Sequence, residues 1–299
     1  MRLDTPEQQA TGHRGSLTVV GTGIRFGLQT TPEARRRMER AEKVLYLLAE
    51  PASAAWLRTL NPSAESLHRF YAPDKDRRTT YHEIVEEILT WLRRGSAVCA
   101  VFYGHPGVYV DPAQEVIKRA REEGFDARML PGISAEDCLF ADLGLDPGQS
   151  GCQSFDATDF LLYPRNFDTS TPLVLWQVGA VGEVRPRMAR PAGLRVLADR
   201  LATRYGPDHP VVLYEASPYP ICDPIVQKVL LADLDEADLT PMATLYIPPL
   251  GRPEPDIGML GLLGMPDPVG VSSGAGTPVT GDVQDVPPPE WAGRHESPA

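Results

Sequence analysis

The sequence predicts an α/β protein of two domains, with a parallel sheet in the N-terminal domain and a mixed sheet in the C-terminal domain. In the first half of the chain, short apolar runs alternate with helix-like stretches, which is typical of a parallel sheet. A Pro- and Gly-rich stretch at residues 145–151 marks a boundary, beyond which the pattern changes. A length of 299 residues agrees with two domains. We therefore place the N-terminal domain at residues 15–147 and the C-terminal domain at 148–250.

The elements of the first domain are predicted in order along the chain. The β-branched run Ser16–Gly21 ends in Gly-Thr-Gly and predicts the first strand. Thr31 and Pro32 mark the first helix, because threonine caps helices and proline fits the first helical position. The remaining strands are expected at residues 43–48, 66–71, 97–103 and 128–130, and the remaining helices at 52–60, 79–94, 111–124 and 134–143.

Two of these helices carry clear signals. In the helix at 79–94, one face is apolar and Gly95 follows the last turn as a C-terminal glycine. Asp111 opens the next helix with a capping-box-like pattern, and Gly124 closes it. The apolar residues on the face of the first of these helices are Ile84, Val85, Ile88, Leu89 and Leu92.

The second domain and the two ends of the chain have different patterns. Strands are predicted at residues 172–178, 210–216 and 242–248, with one helix at 194–205. Residues 1–14 are polar and are expected to be disordered. From about Gly264 onward the chain is rich in proline and glycine and poor in large apolar residues, so residues 251–299 are expected to form a mostly disordered tail.

Composition excludes several classes of protein. The four cysteines are scattered without a Cys-x-x-Cys pair, so neither a metal site nor a disulfide framework is expected, and the protein is predicted to be cytoplasmic. No apolar run predicts a membrane span, and the N-terminus has no signal-peptide core. The net charge of −11 argues against nucleic acid as a partner. An enzyme or a binder of small molecules or peptides remains.

Glycine turns follow three of the predicted strands. Gly21-Thr-Gly23 lacks the third glycine of a dinucleotide fingerprint, and no phosphate-binding Gly-x-x-x-x-Gly-Lys-Ser/Thr occurs. The stretches Tyr103–Val108 and Leu130–Ala135 hold the other two turns, at strand ends where open α/β sheets bind ligands. Backbone amides at the second of these turns could hold a carboxylate or an adenine edge. The turns either outline one cleft or are ordinary connections between strands and helices.

Two tyrosines and an arginine form a third candidate group. Arg77 and Tyr81 are four residues apart, which is one helical turn, and Tyr71 precedes them. An arginine beside a phenol stabilises the phenolate and lowers a pKa that starts near ~10. This pairing suits proton abstraction from a very weak acid. The alternative is a charged loop with two half-buried tyrosines.

Seven stretches carry a resemblance to a known family: GSLTVVGTGI, FYAPDKDRRTTY, VFYGHPGVYV, ARMLPGISAEDCLFADLGLDP, LVLWQVG, HPVVLYEA and TLYIPP. On these stretches residues 15–250 resemble the tetrapyrrole methylase superfamily. Within that superfamily they resemble the borosin peptide backbone α-N-methyltransferases of the split, stand-alone type. Three features make the resemblance specific to the borosin branch: the loop from Tyr71 to Tyr81, the YGHPG turn and the long string SAEDCLFADLGLDP.

The resemblance implies a homodimeric enzyme that binds S-adenosylmethionine between its domains and methylates backbone amides of a ribosomally made precursor peptide. It implies a dimer with the Tyr71–Tyr81 region near the partner, or a heterotetramer with the precursor. Arg77 and Tyr81 would handle the amide proton, with Tyr71 as a third catalytic participant. The residues assigned to cofactor binding are Gly21, Gly23, Tyr103, His105, Val108, Ser134, Ala135, Gln177, Ala216 and Thr244.

One residue departs from the pattern of the family. His68 stands where fungal members carry another tyrosine. Its imidazole either donates a hydrogen bond or packs, and we expect packing.

The peptide is expected to be supplied as a separate chain. In fused members of the family, a long helical clasp and an apolar core peptide follow the methylase domain. Here only about fifty residues follow Pro249, and they show no helical period. Three alternatives remain open: a tetrapyrrole C-methyltransferase of the precorrin or uroporphyrinogen type, a self-methylating enzyme with a short core at Pro268–Ser272, and a non-catalytic peptide-binding module.

Overall fold

The computed structural model describes residues 15–25, 27–48, 50–72, 75–183 and 191–266. The predicted disorder of residues 1–14 and 267–299 lies outside the described residues. The described chain forms two compact units. The first runs to Cys138 and also includes Ala216–Pro224, and the second comprises Leu139–Glu215 and continues from Ile225.

A five-stranded sheet forms the centre of the first unit. Its spatial order is β3-β2-β4-β1-β5, and every neighbouring pair is parallel, as the sequence predicted. β4 and β1 lie in the middle and are almost wholly buried, because helices cover both faces. The strands are β1 (Ser16–Gly21), β2 (Lys43–Leu47), β3 (Glu65–Ser66), β4 (Ala97–Phe102) and β5 (Asp126–Met129).

Five helices follow the strands of this sheet. They are α1 (Pro32–Arg40), α2 (Pro51–Leu60), α3 (Arg77–Arg93), α4 (Asp111–Glu122) and α5 (Ala135–Leu143). The apolar faces of α3 and α4 pack on one side of the sheet, and those of α1 and α2 on the other. Thr31 caps α1, its hydroxyl accepting from the amide of Ala34 at 3.1 Å, as predicted.

Two local predictions in this unit are wrong. Residues 66–71 were expected to be a strand, but Ser66 ends β3 and caps a 3₁₀ helix at Leu67–Phe70, its hydroxyl accepting from the amide of His68 at 3.2 Å. At Asp111 there is no capping box: Val110 is the N-cap and Asp111 is already the first helical residue. Proline at the second helical position permits this, since it needs no hydrogen-bond partner for its nitrogen.

A mixed five-stranded sheet forms the second unit. Its order is β6-β7-β10-β8-β9; β6 and β7 are parallel, and the other pairs are antiparallel. The strands are β6 (Gln153–Asp156), β7 (Leu173–Trp176), β8 (Pro210–Glu215), β9 (Ile225–Leu230) and β10 (Thr244–Ile247). The helices are α6 (Pro147–Ser150), α7 (Ala157–Leu162), α8 (Pro191–Tyr205) and α9 (Ile257–Leu263). This confirms the predicted mixed sheet.

The boundary and the tail differ from their predictions. The units separate inside α5 rather than after residue 147, because the Gly- and Pro-rich stretch is a turn of the second unit in which Asp146 caps α6. Residues 257–263 form α9 within the predicted disordered tail. Asp256 caps this helix, accepting from the amide of Met259 at 3.0 Å, and Gly264 closes it with a φ of +64°. Local capping therefore orders a segment whose composition indicated disorder.

Two strands of the second sheet were not predicted from the sequence. β6 and β9 lie at the two edges of the second sheet, and β9 is exposed along most of its length. Their side chains do not alternate between apolar and polar, so no strand signal was visible. Within the described residues, no helix has the length and apolar character that crossing a membrane requires.

Candidate active site

Three glycine turns meet at the carboxyl edge of the first sheet. The amide of Gly23 donates to the carbonyl of Gly104 at 3.3 Å, and the amide of Gly104 donates back to Gly23 at 3.1 Å. A Cβ atom on Gly21 would lie 2.0 Å from the carbonyl oxygen of Gly104, and one on Gly132 would lie 3.2 Å from the same oxygen. The turns after β1, β4 and β5 therefore form one cluster, as the sequence predicted, and Gly21 leaves no room for a side chain.

The turn after β4 holds its own histidine. The ring Nδ1 of His105 accepts a hydrogen bond from the amide of Gly107 at 2.9 Å, and the His105 carbonyl accepts from the amide of Val108 at 3.1 Å. In the neutral ring the proton is therefore on Nε2. Tyr103 is half-buried, whereas the side chain of Val108 is exposed. These three predicted cofactor-binding residues lie on one tight turn.

Ser134 caps the helix that it precedes. The Ser134 amide and hydroxyl both donate to Oδ2 of Asp137, at 2.7 and 2.8 Å, and the Asp137 amide donates back to the hydroxyl at 3.3 Å. This reciprocal pattern is a capping box at the start of α5. Ala135 is the first residue of that helix. Ser134 therefore shapes the turn, and its hydroxyl is already engaged.

Sequence reasoning missed two residues that support these turns. Oε1 of Gln29 accepts from the amides of Ile24 and Arg25, at 2.9 and 2.8 Å, and so supports the loop after β1. No sequence signal marks a glutamine of this kind. Asp137 was missed as well, although its position three residues after Ser134 is a capping signal.

The structure brings Tyr71, Arg77 and Tyr81 together. Tyr71 follows the 3₁₀ helix, and its amide donates to the His68 carbonyl at 3.0 Å. Arg77 is the first residue of α3, which Asp76 caps by accepting from the amide of residue 78 at 2.8 Å. The two phenols affect each other's pKa, and the charge of the Arg77 guanidinium lowers the pKa of both.

The expected lowering of the tyrosine pKa values is wrong. Burial raises the pKa of Tyr71 to about 12, and the neighbouring phenol of Tyr81 adds to this shift. Burial also raises the pKa of Tyr81. Arg77 lowers both pKa values, but its charge does not offset the loss of solvation. Both side chains are therefore phenols at neutral pH.

Two further side chains belong to this group. Asp111, at the start of α4, raises the pKa of Tyr81 through its charge, which sequence reasoning did not foresee. His68 donates from Nε2 to the Leu48 carbonyl at 2.8 Å, and its ring centroid lies 5.9 Å from that of Tyr71. The imidazole thus packs against Tyr71, as expected, and also forms a hydrogen bond.

The remaining predicted cofactor-binding residues lie at strand ends of the second sheet. Gln177 follows β7 in a left-handed conformation with a φ of +56°, which is strained for a residue with a side chain. Thr244 begins β10 and is buried, and Ala216 follows β8 directly. The carbonyl of Ala243 accepts from the amide of Val178 at 2.9 Å, so the end of β7 lies beside the start of β10.

The two α/β units and the glycine turns clustered at one sheet edge are features of an α/β enzyme that binds its ligand at the carboxyl ends of parallel strands. The chain belongs to the tetrapyrrole (corrin/porphyrin) methylase family, whose model matches residues 16–235. Two solved structures agree at the level of the fold. Uroporphyrin-III-C-methyltransferase from Thermus thermophilus superposes with a TM-score of 0.58 at 22% identity, covering 86% of this chain and 99% of that one. A cobalt precorrin-4 methyltransferase gives 0.58 at 18% identity, covering 79% and 95%.

Closer in sequence are fungal proteins described both as methyltransferases and as precursors of ribosomally synthesized cyclic peptides. The omphalotin A precursor of Omphalotus olearius is 43% identical over 244 residues, covering 80% of this chain and 58% of its own. The gymnopeptides precursor of Gymnopus fusipes is 41% identical over 252 residues, covering 82% and 60%. A type I borosin precursor of Serendipita vermifera subsp. bescii is 37% identical over 287 residues, covering 94% and 67%. The chain thus spans about three fifths of the first two relatives.

Proposed function

We propose that this chain is an S-adenosylmethionine-dependent methyltransferase that adds methyl groups to backbone amide nitrogens of a ribosomally made peptide. The observation that carries the proposal is the group of Tyr71, Arg77 and Tyr81, in which the two phenols affect each other's pKa and the charge of one guanidinium lowers the pKa of both. Methylation of a carbon atom in a tetrapyrrole would not require such a group. The similarity to fungal peptide-precursor methyltransferases supports the same conclusion.

The glycine cluster suits the proposed cofactor. Adenine is a flat ring whose edge backbone amides can recognise, and glycines allow stretches of backbone to approach closely. Gly21 and Gly132 let the three turns pack directly against one another. The backbone of all three turns is thereby gathered at the carboxyl edge of the sheet, where open α/β folds bind ligands. The cofactor supplies an electrophilic methyl group on a sulfonium centre. The contributions of Gln177, Ala216 and Thr244 stay predictions.

The catalytic problem is the weak nucleophilicity of an amide. Its nitrogen lone pair is delocalised into the carbonyl, so it reacts only if electron density is returned to nitrogen. A phenol or the Arg77 guanidinium can stabilise negative charge that develops on the amide oxygen. When Tyr81 is a phenolate, its oxygen can accept the amide proton. The nitrogen would then be able to form a bond to the methyl carbon of the cofactor, whose sulfur would leave as a neutral thioether.

The test is a binding measurement followed by a transfer assay. Titration calorimetry of the full chain with S-adenosylmethionine is expected to show binding. The chain is then incubated with the cofactor and a panel of Val-, Ile- and Gly-rich peptides. Tandem mass spectrometry is expected to locate new methyl groups on backbone nitrogens.

Two results would contradict the proposal. Absence of cofactor binding would favour a non-catalytic module. Methyl transfer to uroporphyrinogen III, with none to peptides, would favour the tetrapyrrole alternative. The Arg77→Ala variant is the matched control, since it should bind cofactor but transfer methyl groups far more slowly.

The proposed assembly is a homodimer with the Tyr71–Tyr81 region near the partner subunit, or a heterotetramer with the precursor. The support is the resemblance to the family. The amphipathic face of α3 gives no support, because it is buried within its own unit against the first sheet. Sedimentation at micromolar concentration tests the dimer, and a monomer would contradict it.

A further inference from the structure

The segment Ala216–Pro224 connects β8 to β9, yet it packs as part of the first unit. It has internal structure. The Ser217 hydroxyl donates to the Tyr219 carbonyl at 3.0 Å and accepts from the Tyr219 amide at 3.2 Å. The Cys222 amide donates to the same carbonyl at 3.2 Å. These bonds form a compact loop around Tyr219.

A side-chain hydrogen bond joins this loop to the rest of the first unit. The Tyr219 hydroxyl donates to Oε2 of Glu50 at 2.5 Å. Glu50 is the N-cap residue of α2, but its carboxylate makes no capping bond to that helix. A hydrogen bond to a carboxylate is among the stronger polar contacts in proteins. Glu50 is thus directed at the loop rather than at its own helix.

The contact lies at the carboxyl edge of the first sheet. β2 pairs with β4 in a register that aligns Leu47 with Phe102, so Leu48 is level with Tyr103. Glu50 is two residues beyond Leu48, whose carbonyl receives the His68 ring nitrogen. Tyr219 is therefore anchored at the same edge that carries the glycine turns and Tyr71.

We infer that the Tyr219–Glu50 hydrogen bond holds the 216–224 segment in the conformation that completes the cofactor site, which makes Tyr219 a positioning residue. The inference rests on the proposed function. A loop held in place before binding loses less conformational entropy when the ligand arrives, and the affinity is higher for that reason. Removal of the Tyr219 hydroxyl should weaken cofactor binding roughly tenfold, as the loss of one charge-assisted hydrogen bond would.

The first measurement needs no cofactor. Hydrogen–deuterium exchange of the full chain compares wild type with Tyr219→Phe and Glu50→Ala. In both variants the amides of residues 216–224 should exchange faster than in wild type, and the exchange rates in β8 should be unchanged. Tyr163→Phe is the matched control, because Tyr163 is an exposed tyrosine of the second unit. Unchanged exchange in both variants would overturn the anchoring role.

The second measurement is calorimetric titration with S-adenosylmethionine. Tyr219→Phe and Glu50→Ala should weaken binding by a similar factor, and the double variant should be no weaker than either, because the two residues share one contact. Glu50→Gln should retain affinity, since its amide oxygen still accepts. Turnover at saturating cofactor should be unchanged, which separates positioning from chemistry.

The outcomes separate the two hypotheses. If wild type binds the cofactor and both single variants bind it as tightly as wild type does, the positioning role is overturned and the proposed function stands. If wild type does not bind, the proposed function fails and the positioning role fails with it. Faster exchange together with weaker binding in both variants supports the inference.

Discussion

The pKa values of Tyr71 and Tyr81 are set by two opposing effects, the charge of Arg77 and burial. Arg77 favours the phenolate, as its spacing from Tyr81 suggested, but burial favours the phenol and determines the direction of both pKa shifts. Spacing along the chain is visible in a sequence, and so the three residues could be named. The burial of Tyr81 and its closeness to Asp111 depend on how α3 packs against α4. The direction in which the tyrosine pKa shifts could therefore not be predicted from the sequence.

The first prediction concerns the two residues proposed to act on the amide. Tyr81→Phe and Arg77→Ala should each lower the rate of methyl transfer by about 10²-fold or more, because each removes a group that handles the proton or the developing charge. Cofactor affinity should not change, since neither residue belongs to the glycine cluster. Single-turnover kinetics measure the rate, and calorimetry measures the affinity.

The catalytic assignment fails if both variants keep nearly normal turnover. Arg69→Ala serves as a comparison, because Arg69 pairs with Glu65 and Glu87 outside this group. Its loss should leave methyl transfer unchanged.

The second prediction concerns pH. The pKa of Tyr71 is raised to about 12 and that of Tyr81 is raised above its usual value near 10, so the phenolate is scarce at neutral pH. If Tyr81 accepts the amide proton, the rate should rise about tenfold per pH unit between pH 7 and 9.5 without a plateau. Arg77→Ala should shift this rise to higher pH, because the guanidinium lowers the pKa. A rate that is flat over this range would show that the phenol acts only as a hydrogen-bond donor.

At the scale of elements, strand ends and glycine turns were the most predictable features. Long apolar runs such as β1 and β4 are buried on both faces, and that pattern is visible without a structure. The meeting of Gly23 with Gly104 follows from parallel pairing, which aligns the strands' carboxyl ends. The exposed strand β9 was not predictable, because its side chains carry no period. The 3₁₀ helix after β3 depends on a cap at Ser66 that competes with strand pairing.

The third prediction tests the glycine cluster. In Gly21→Ala, the new Cβ atom would lie 2.0 Å from the Gly104 carbonyl and 2.9 Å from Cδ of Pro106. Neither neighbour is a flexible side chain, so the turn must shift, at a cost of roughly 1–3 kcal/mol or more. Urea denaturation should show the loss of stability, and calorimetry should show weaker cofactor binding.

Gly251→Ala is the matched control for that change. No atom lies within 4 Å of a Cβ at Gly251, so the same substitution should leave stability and binding unchanged. Equal stability of the Gly21→Ala and Gly251→Ala variants would contradict the close approach of the turns.

At the scale of the whole molecule, chain order and compact units do not coincide. The segment 216–224 belongs to the first unit, although the strands on both sides of it belong to the second. A sequence pattern reports local structural preference. It does not show that a loop between two strands of one unit packs in the other unit. The domain prediction therefore placed Ala216 correctly at a strand end and still assigned its surroundings to the wrong unit.

The last prediction concerns which chain receives the methyl groups. The prolines after α9 cannot be methylated on nitrogen, because a proline nitrogen has no proton to lose. Residues 265–299 contain prolines at positions 266, 268, 278, 287, 288, 289 and 298. The short stretch Pro268–Ser272 has a few ordinary amides between these prolines and is the best internal candidate. We expect an added apolar peptide to be methylated and residues 265–299 to remain unmodified. Mass spectrometry of the protein expressed alone with ample S-adenosylmethionine decides the question, with the much slower Arg77→Ala variant as the control. Methyl groups that accumulate on residues 265–299 of wild type, and not of the variant, would show that the enzyme methylates its own chain.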